Sequence, residues 1–380
     1  ITDDQSMVDA ILEEALPMLP VTIQAPSFGC TAFAVVEQDG TACMGRNYDF
    51  RYDTSAMVVY CSPQDSYRSV AFAALDNIQA NTPEQSLKTR LATLTAPFIC
   101  LDGMNEKGVS IAVLTLDSEP TYQQTGKPTI TPTLAIRLVL DHAATTAEAV
   151  ALLREYDMFA SGGRDYHFYI TDASGDGRVV EYDCDDPARP LVDTPALYPD
   201  RVKPNQRNGI YGHGRERYDT VLKILAQQKD VLSPLTVWDA LRAVAQEPDS
   251  KDITSNTQWS ICFHNSTLSA DVALRRHWDN IFRCAFLIQS AKNPPFGGFS
   301  FCLLSVQQPY RNIKIRRKAQ PNEIRNLQIG RLGAYLLKPQ SHDHHQCNEK
   351  QQPDHRKAPH LPLEEEKRPQ QIHHQLHDIE

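Results

Sequence analysis

Ser27-Phe28-Gly29-Cys30-Thr31-Ala32-Phe33-Ala34-Val35-Val36, followed after a short turn by Gly45-Arg46-Asn47-Tyr48-Asp49-Phe50, is the stretch on which the reading of this 380-residue chain rests. The first run reads as a strand that begins with a cysteine. Gln38-Asp39-Gly40 supplies the turn, and the return strand ends in an Arg and an Asp. A hairpin of this length brings the end of its second strand back beside the start of its first. Cys30, Arg46 and Asp49 are therefore expected at one end of a sheet.

A thiol reacts as its thiolate, and a free cysteine with a pKa of about 8.5 is only a few per cent ionised at neutral pH. A guanidinium beside it favours the anion, and a depression of two units corresponds to about 2.7 kcal/mol. Arg46 is suited to that task. Asp49 is not, because a carboxylate raises a thiol pKa; it makes better sense against a cation. Cutting the chain before Cys30 would create one, an α-ammonium with an unperturbed pKa of about 7.7 to 8, able to act as a base near neutrality. These are the parts of an N-terminal nucleophile enzyme.

Five motifs then fall in order: Gly29-Cys30-Thr31, Gly45-Arg46-Asn47-Tyr48-Asp49, Asp102-Gly103-Met104-Asn105-Glu106-Lys107-Gly108, Gly214-Arg215-Glu216-Arg217-Tyr218-Asp219 and Thr257-Gln258-Trp259-Ser260. From Cys30 to Leu287 the chain resembles choloylglycine hydrolase-like proteins, the linear amide hydrolases that include bile salt hydrolases and penicillin V acylases. The resemblance implies an α+β fold, a four-layer αββα sandwich of the N-terminal nucleophile hydrolase type. It implies that Cys30, freed from the residues before it, is nucleophile and base, that Arg46 and Asp49 hold its amine and thiol, and that Arg217 adds a second positive charge. Where bile salt hydrolases place an oxyanion-hole Asn, this chain has Val113-Leu114-Thr115, and a second expected Asn is absent near Thr194-Pro195. Loss of one oxyanion donor costs roughly two to three powers of ten in rate. Thr115, a backbone amide, Asn205 or Asn208 would have to substitute, and bile-salt specificity is not carried over.

Composition fits a globular hydrolase: 41% of residues are hydrophobic, enough for a sizeable core. The formal charge of -9 is uneven. Residues 291–380 hold 14 Lys and Arg against 9 Asp and Glu, so the preceding 290 residues carry a net charge of -14. An acidic body argues against a nucleic-acid groove. Nine cysteines without CxxC pairs argue against a disulfide framework and a zinc site, and favour a reducing compartment, the cytoplasm. No apolar run reaches the ~18 residues of a membrane span, and the first thirty residues lack a basic segment before an apolar core. The start at Ile1 leaves a lost leader open. The expected partner is a small-molecule amide, with no nucleic acid and no membrane; a homo-oligomer is compatible with this reading. The chemistry requires no metal or organic cofactor.

The chain divides into residues 1–29, a pro-segment or surface helix built on an acidic amphipathic run at 3–17; a catalytic domain over 30–290; and a Gln-, His- and basic-rich tail over 291–380. The tail holds eight of the thirteen histidines in its last forty residues and is expected to be mostly disordered, a metal-binding tail being the sharper reading. Between these, strands are expected at 57–61, 69–73, 98–101, 109–114, 166–172, 179–182, 258–263, 270–274 and 281–287. Helix pairs fall at 134–140 and 146–155 (with a Thr cap), and at 215–228 and 234–246. Residues 185–213, with five prolines, read as a long irregular loop. Paired helices between hairpins favour α+β layers over a doubly wound sheet.

Each candidate has a plainer alternative. Cys43 and His167 read as core residues, Asn105 as a turn residue, Arg46 with Asp49 as a structural ion pair, and Arg217 as part of a solvated cluster. The expected reaction is hydrolysis of the C-N bond of a linear amide through a Cys30 thioester. An acyltransferase using the same thioester and a non-catalytic amide-binding homologue are the rivals.

Overall fold

The computed structural model describes residues 30–51, 54–81, 86–116, 118–195, 213–228, 232–248, 256–285, 298–304 and 327–328. The acidic run at 3–17, Asn205, Asn208 and the His-rich end lie outside them. The chain divides into two units, Ile1–Leu332 and Gly333–Glu380, and every described residue belongs to the first.

Strands β1 (Cys30–Val36) and β2 (Ala42–Phe50) form the expected hairpin, paired in register from Cys30 opposite Tyr48 to Val36 opposite Ala42. Gly40 adopts φ 86° in the turn, a conformation open to glycine at little cost. The C-terminal strands β12 (Asn256–His264), β13 (Ser269–Leu274) and β14 (Phe282–Ala285) extend this hairpin into a five-stranded sheet ordered β1-β2-β12-β13-β14.

A second, nine-stranded antiparallel sheet holds the middle of the chain. Its order is β11-β10-β9-β6-β5-β4-β3-β15-β16, from β3 (Ala56–Ser62), β4 (Ser69–Ala74), β5 (Cys100–Asn105), β6 (Ser110–Leu116), β9 (Asp165–Thr171), β10 (Gly177–Tyr182), β11 (Leu191–Pro195), β15 (Gly298–Leu304) and β16 (Leu327–Gln328). The short β7 (Thr129–Ile130) and β8 (Asp157–Met158) pair in parallel apart from it. A short helix, α1 (Leu87–Ala92), is capped by Ser86.

Alternation along the strands builds the layers. Ala34, Met44, Tyr48 and Phe50 enter the core shared with the large sheet, with Cys30 and Ala32 packed against it. Phe33, Val35 and Cys43, on the opposite face, join Val221 and Leu225 of α4 (His213–Gln227) and Val237, Trp238 and Leu241 of α5 (Pro234–Ala243). Ile136, Val139 and Leu140 of α2 (Pro132–His142) and Val150 and Leu153 of α3 (Thr146–Arg154) join the core beneath the large sheet. The result is an αββα sandwich. All nine residues of β2 are buried, because helices cover one side and a sheet the other.

Three readings of the sequence change. The stretch 185–213 is not wholly irregular: Leu191–Pro195 adds an edge strand to β10, its prolines notwithstanding, because an edge needs a donor on one side only. The cap of α3 is Thr145, whose hydroxyl accepts from the Glu148 N–H at 3.2 Å; Thr146 instead donates to Asp172 at 2.7 Å. Within the stretch read as tail, Gly298–Leu304 pairs with β3 from Ser62 to Ala56, since composition averaged over ninety residues hides a seven-residue apolar run. Among the described residues no helix is long and apolar enough to cross a membrane.

Candidate active site

Cys30 opens β1 opposite Tyr48, and Ala32 stands opposite Arg46, so Cys30 and Arg46 share the face turned to the large sheet. Cys30 is partly buried, and the Arg46 side chain and the Asp49 backbone each favour the anion of its thiol. Burial pushes the thiol up to about 11; Arg46 pulls it down and the Asp49 charge pushes it up again. The sequence reading took Arg46 as sufficient to favour the thiolate. Desolvation outweighs it in the chain as it stands, with Cys30 inside an unbroken backbone.

Arg46 is fully buried. Its Nε donates to Asp102 Oδ2 at 3.2 Å, its Nη1 to the Asn47 carbonyl at 3.2 Å and its Nη2 to the Val113 carbonyl at 2.9 Å. The guanidinium also lies 5.7 Å from the centroid of the Tyr48 ring. Burial alone would lower the Arg46 pKa, but the facing Cys30 and Asp102 charges hold it above its ordinary value. Asp102 Oδ2 also accepts from Trp259 Nε1 at 3.2 Å, and Trp259 stacks on Tyr48 with centroids 4.0 Å apart. Burial raises the Asp102 carboxyl, and Arg46 and Trp259 offset it. Asp102 and Trp259 both lie within the sequence motifs, where no local pattern signals that they meet Arg46 and Tyr48.

Asp49 looks the other way. Its Oδ2 accepts from Arg217 Nη1 at 2.5 Å and its Oδ1 from Thr257 Oγ1 at 2.6 Å, on the helix-covered face of the sheet. Asn47, on that same face, donates to the Leu241 carbonyl of α5 at 2.9 Å. Burial raises the Asp49 carboxyl against the pull of Arg217 and Thr257. Arg46 and Asp49 are thus not an ion pair with each other. Their odd spacing on one strand was the available signal, because residues three apart point to opposite faces. Nor is Arg217 a freely solvated charge: its side chain is 14% exposed and is paired with Asp49.

Cys30, Arg46, Asp49 and Arg217 thus stand at one end of the small sheet, with the Asp49 carboxylate and Arg217 on the face opposite Cys30 and Arg46. Thr115 of β6 is not brought to this group: Ala112 stands opposite Asp102, which reaches the small sheet, so Thr115, three residues on, belongs to the opposite face of its strand. Its hydroxyl is buried without a hydrogen-bond partner, and Val113, two residues earlier on that strand, gives its carbonyl to Arg46. Asn105 serves its turn: its side-chain amide donates to the Leu140 and Ala143 carbonyls at 3.1 and 2.7 Å, and its oxygen accepts from the Lys107 and Val109 N–H groups. His167 is neither a core histidine nor a partner of Cys30; it is partly exposed and meets Glu181 Oε1 at 3.0 Å on the neighbouring strand.

Residues 30–186 match the model of a family described as linear amide C-N hydrolases, choloylglycine hydrolase family. Among solved structures, the penicillin V acylase from Agrobacterium tumefaciens is 17% identical, with a TM-score of 0.51 over 71% of this chain and 90% of that one. A variant of the conjugated bile acid hydrolase from Clostridium perfringens is 13% identical, with a TM-score of 0.52 over 75% of this chain and 99% of that one. At such identities these two likenesses speak for the fold.

Proposed function

We propose, for a chain whose residues 30–186 place it in the choloylglycine hydrolase family of linear amide C-N hydrolases, that hydrolysis runs through Cys30 as an N-terminal nucleophile. The observation that carries this reading is that Cys30 opens β1 on the same face as the buried Arg46, with the Arg46 guanidinium and the Asp49 backbone pulling the thiol down against its burial. Both stabilise negative charge on sulfur.

Release of the residues before Cys30 frees its α-amine, which takes the thiol proton near neutrality. The thiolate attacks the carbonyl carbon of a small-molecule linear amide, and the oxyanion is held by backbone amides. The protonated amine passes its proton to the leaving nitrogen, the C-N bond breaks, and a thioester remains on Cys30. Water adds to that thioester, releases the acid and returns the proton to sulfur. Asp102 acts as a positioning residue, fixing Arg46 against the thiol. Asp49 positions Arg217 at the same end of the sheet, and its backbone favours the anion on sulfur.

The test is the N-terminal mass of active protein together with a Cys30→Ala variant. Active material starting at Cys30, and a folded Cys30→Ala protein without amide hydrolysis, are the expected results. Full turnover by chains in which Cys30 is still preceded by Gly29, or by Cys30→Ala, overturns the mechanism.

A further inference from the structure

A second cluster of nucleophilic and ligating side chains lies on the helix-covered face of the small sheet, about 17 Å along β2 from Tyr48 at 3.4 Å per residue. Cys43 on β2 stands opposite His264 on β12, and Cys262 lies two residues before His264 on the same face. All three are buried, and ligand atoms from Cys43, Cys262 and His264 lie within 4.8 Å of one another.

The spacing is that of a tetrahedral metal site. Cys43 Sγ and His264 Nδ1 are 3.6 Å apart. Two ligands bound to zinc at about 2.3 Å for sulfur and 2.0–2.1 Å for nitrogen stand about 3.5–3.6 Å apart at a tetrahedral angle. The far ring nitrogen, His264 Nε2, meets Asp271 Oδ2 at 3.1 Å, and Asp271 is gripped by Arg283 through Nε at 2.7 Å and Nη2 at 2.8 Å. A carboxylate behind a histidine is the usual outer support of a metal-binding imidazole, fixing its ring with the other nitrogen towards the metal. Glu37 Oε1, 3.7 Å from Cys43 Sγ, lies outside the three-residue group, whose ligand atoms all fall within 4.8 Å of one another.

Two plainer readings account for less. A disulfide is disfavoured because Cys262 stands opposite Gly45, not Cys43. Diagonal neighbours sit about 7–8 Å apart, beyond the usual reach of about 4.4–6.8 Å for a disulfide. Apolar packing explains two buried thiols, but not an imidazole locked by Asp271 and Arg283 with Nδ1 turned to them.

We propose that Cys43, Cys262 and His264 form a structural zinc site that ties β2 to β12. Two thiolates and an imidazole suit zinc over harder cations. The cysteine spacing argued against zinc, because the ligands come from strands separated by 221 residues.

The experiment uses the full chain. Zinc retained after dialysis is measured, then replaced by cobalt(II) under reducing conditions, and the near-ultraviolet thiolate-to-cobalt band is read. The expected result is about one tightly held equivalent of metal and a band from two thiolates. Cys43→Ser and Cys262→Ser should each lose the band, and His264→Ala should weaken retention at least tenfold. Cys30→Ala should keep both, which separates this site from the proposed catalytic one, and Cys347→Ser should keep the band, which separates it from the His-rich end. Absence of a thiolate-to-cobalt band in the wild-type protein, or its persistence in Cys43→Ser and Cys262→Ser, overturns the proposal. Should those variants not fold, the wild-type band and a chelator-induced, zinc-reversible fall in thermal midpoint decide it, and the absence of both overturns it.

Discussion

Arg46 Nε and Asp102 Oδ2 meet at 3.2 Å with both side chains fully buried, joining the small sheet to the large one behind the Cys30 thiol. Two buried charges stabilise a site only as a matched pair, because each alone carries the full desolvation penalty.

Asp102→Asn should therefore destabilise the protein by about 3–5 kcal/mol, since it leaves the Arg46 guanidinium buried without a counter-charge. Urea unfolding of the variant measures this. A loss under 1 kcal/mol would show that the carbonyls of Asn47 and Val113 suffice for Arg46.

Arg217→Ala removes the cation facing the buried Asp49 carboxylate. Asp49 already titrates above its ordinary value, and losing Arg217 raises it further. Such a carboxyl is tolerated in its neutral form and costs stability as it ionises. The deficit of the variant relative to wild type should thus be small at acid pH and grow as pH rises through the carboxylate range. Thermal midpoints from pH 3 to 7 test the sign, and a deficit that shrinks with rising pH contradicts it.

In the uncut chain the Cys30 thiol, at about 11, should alkylate slowly at neutral pH. Its rate should rise about tenfold per pH unit towards 11, as the thiolate fraction does. Protein starting at Cys30 should react faster at pH 7, with an α-ammonium beside the sulfur. Peptide mapping after timed iodoacetamide treatment separates Cys30 from the partly exposed Cys184. Equal rates in the two forms would remove the amine from the account.

Because Thr115 stands on the face of β6 away from Cys30, Thr115→Val should leave kcat and KM unchanged, whereas a fall in kcat of roughly 10²- to 10³-fold would put its hydroxyl in the oxyanion hole. Steady-state kinetics give the split. An unchanged kcat assigns the oxyanion to backbone amides alone.

Gly108 closes the β5–β6 turn at φ 81°, and a Cβ there would lie 2.3 Å from the Asn265 carbonyl oxygen. Gly108→Ala should cost about 1–3 kcal/mol through strain and overpacking, read as a lower urea midpoint at unchanged slope.

The fold was legible where pattern and turn chemistry agree. Cys30–Val36 and Ala42–Phe50 announced a hairpin by β-rich runs about a Gln38-Asp39-Gly40 turn, and its register placed Arg46 beside Cys30. Leu191–Pro195 escaped notice because prolines mask an edge strand, and Gly298–Leu304 because its apolar run lies in polar surroundings. The partners of the site escaped for a different reason. Arg46 and Asp102 are 56 residues apart, and Asp49 and Arg217 are 168 apart, so only packing of separate layers brings them together.

The sequence by itself determined the hairpin, the alternation that turns Arg46 and Asp49 to opposite faces, and the cysteine that heads the first strand, since these depend on residues near in the chain. The tertiary structure alone decided which carboxylate steadies Arg46, how far burial lifts the Cys30 thiol, and that Cys43, Cys262 and His264 meet. Desolvation and long-range pairing arise from atoms supplied by distant segments, and no local pattern records them.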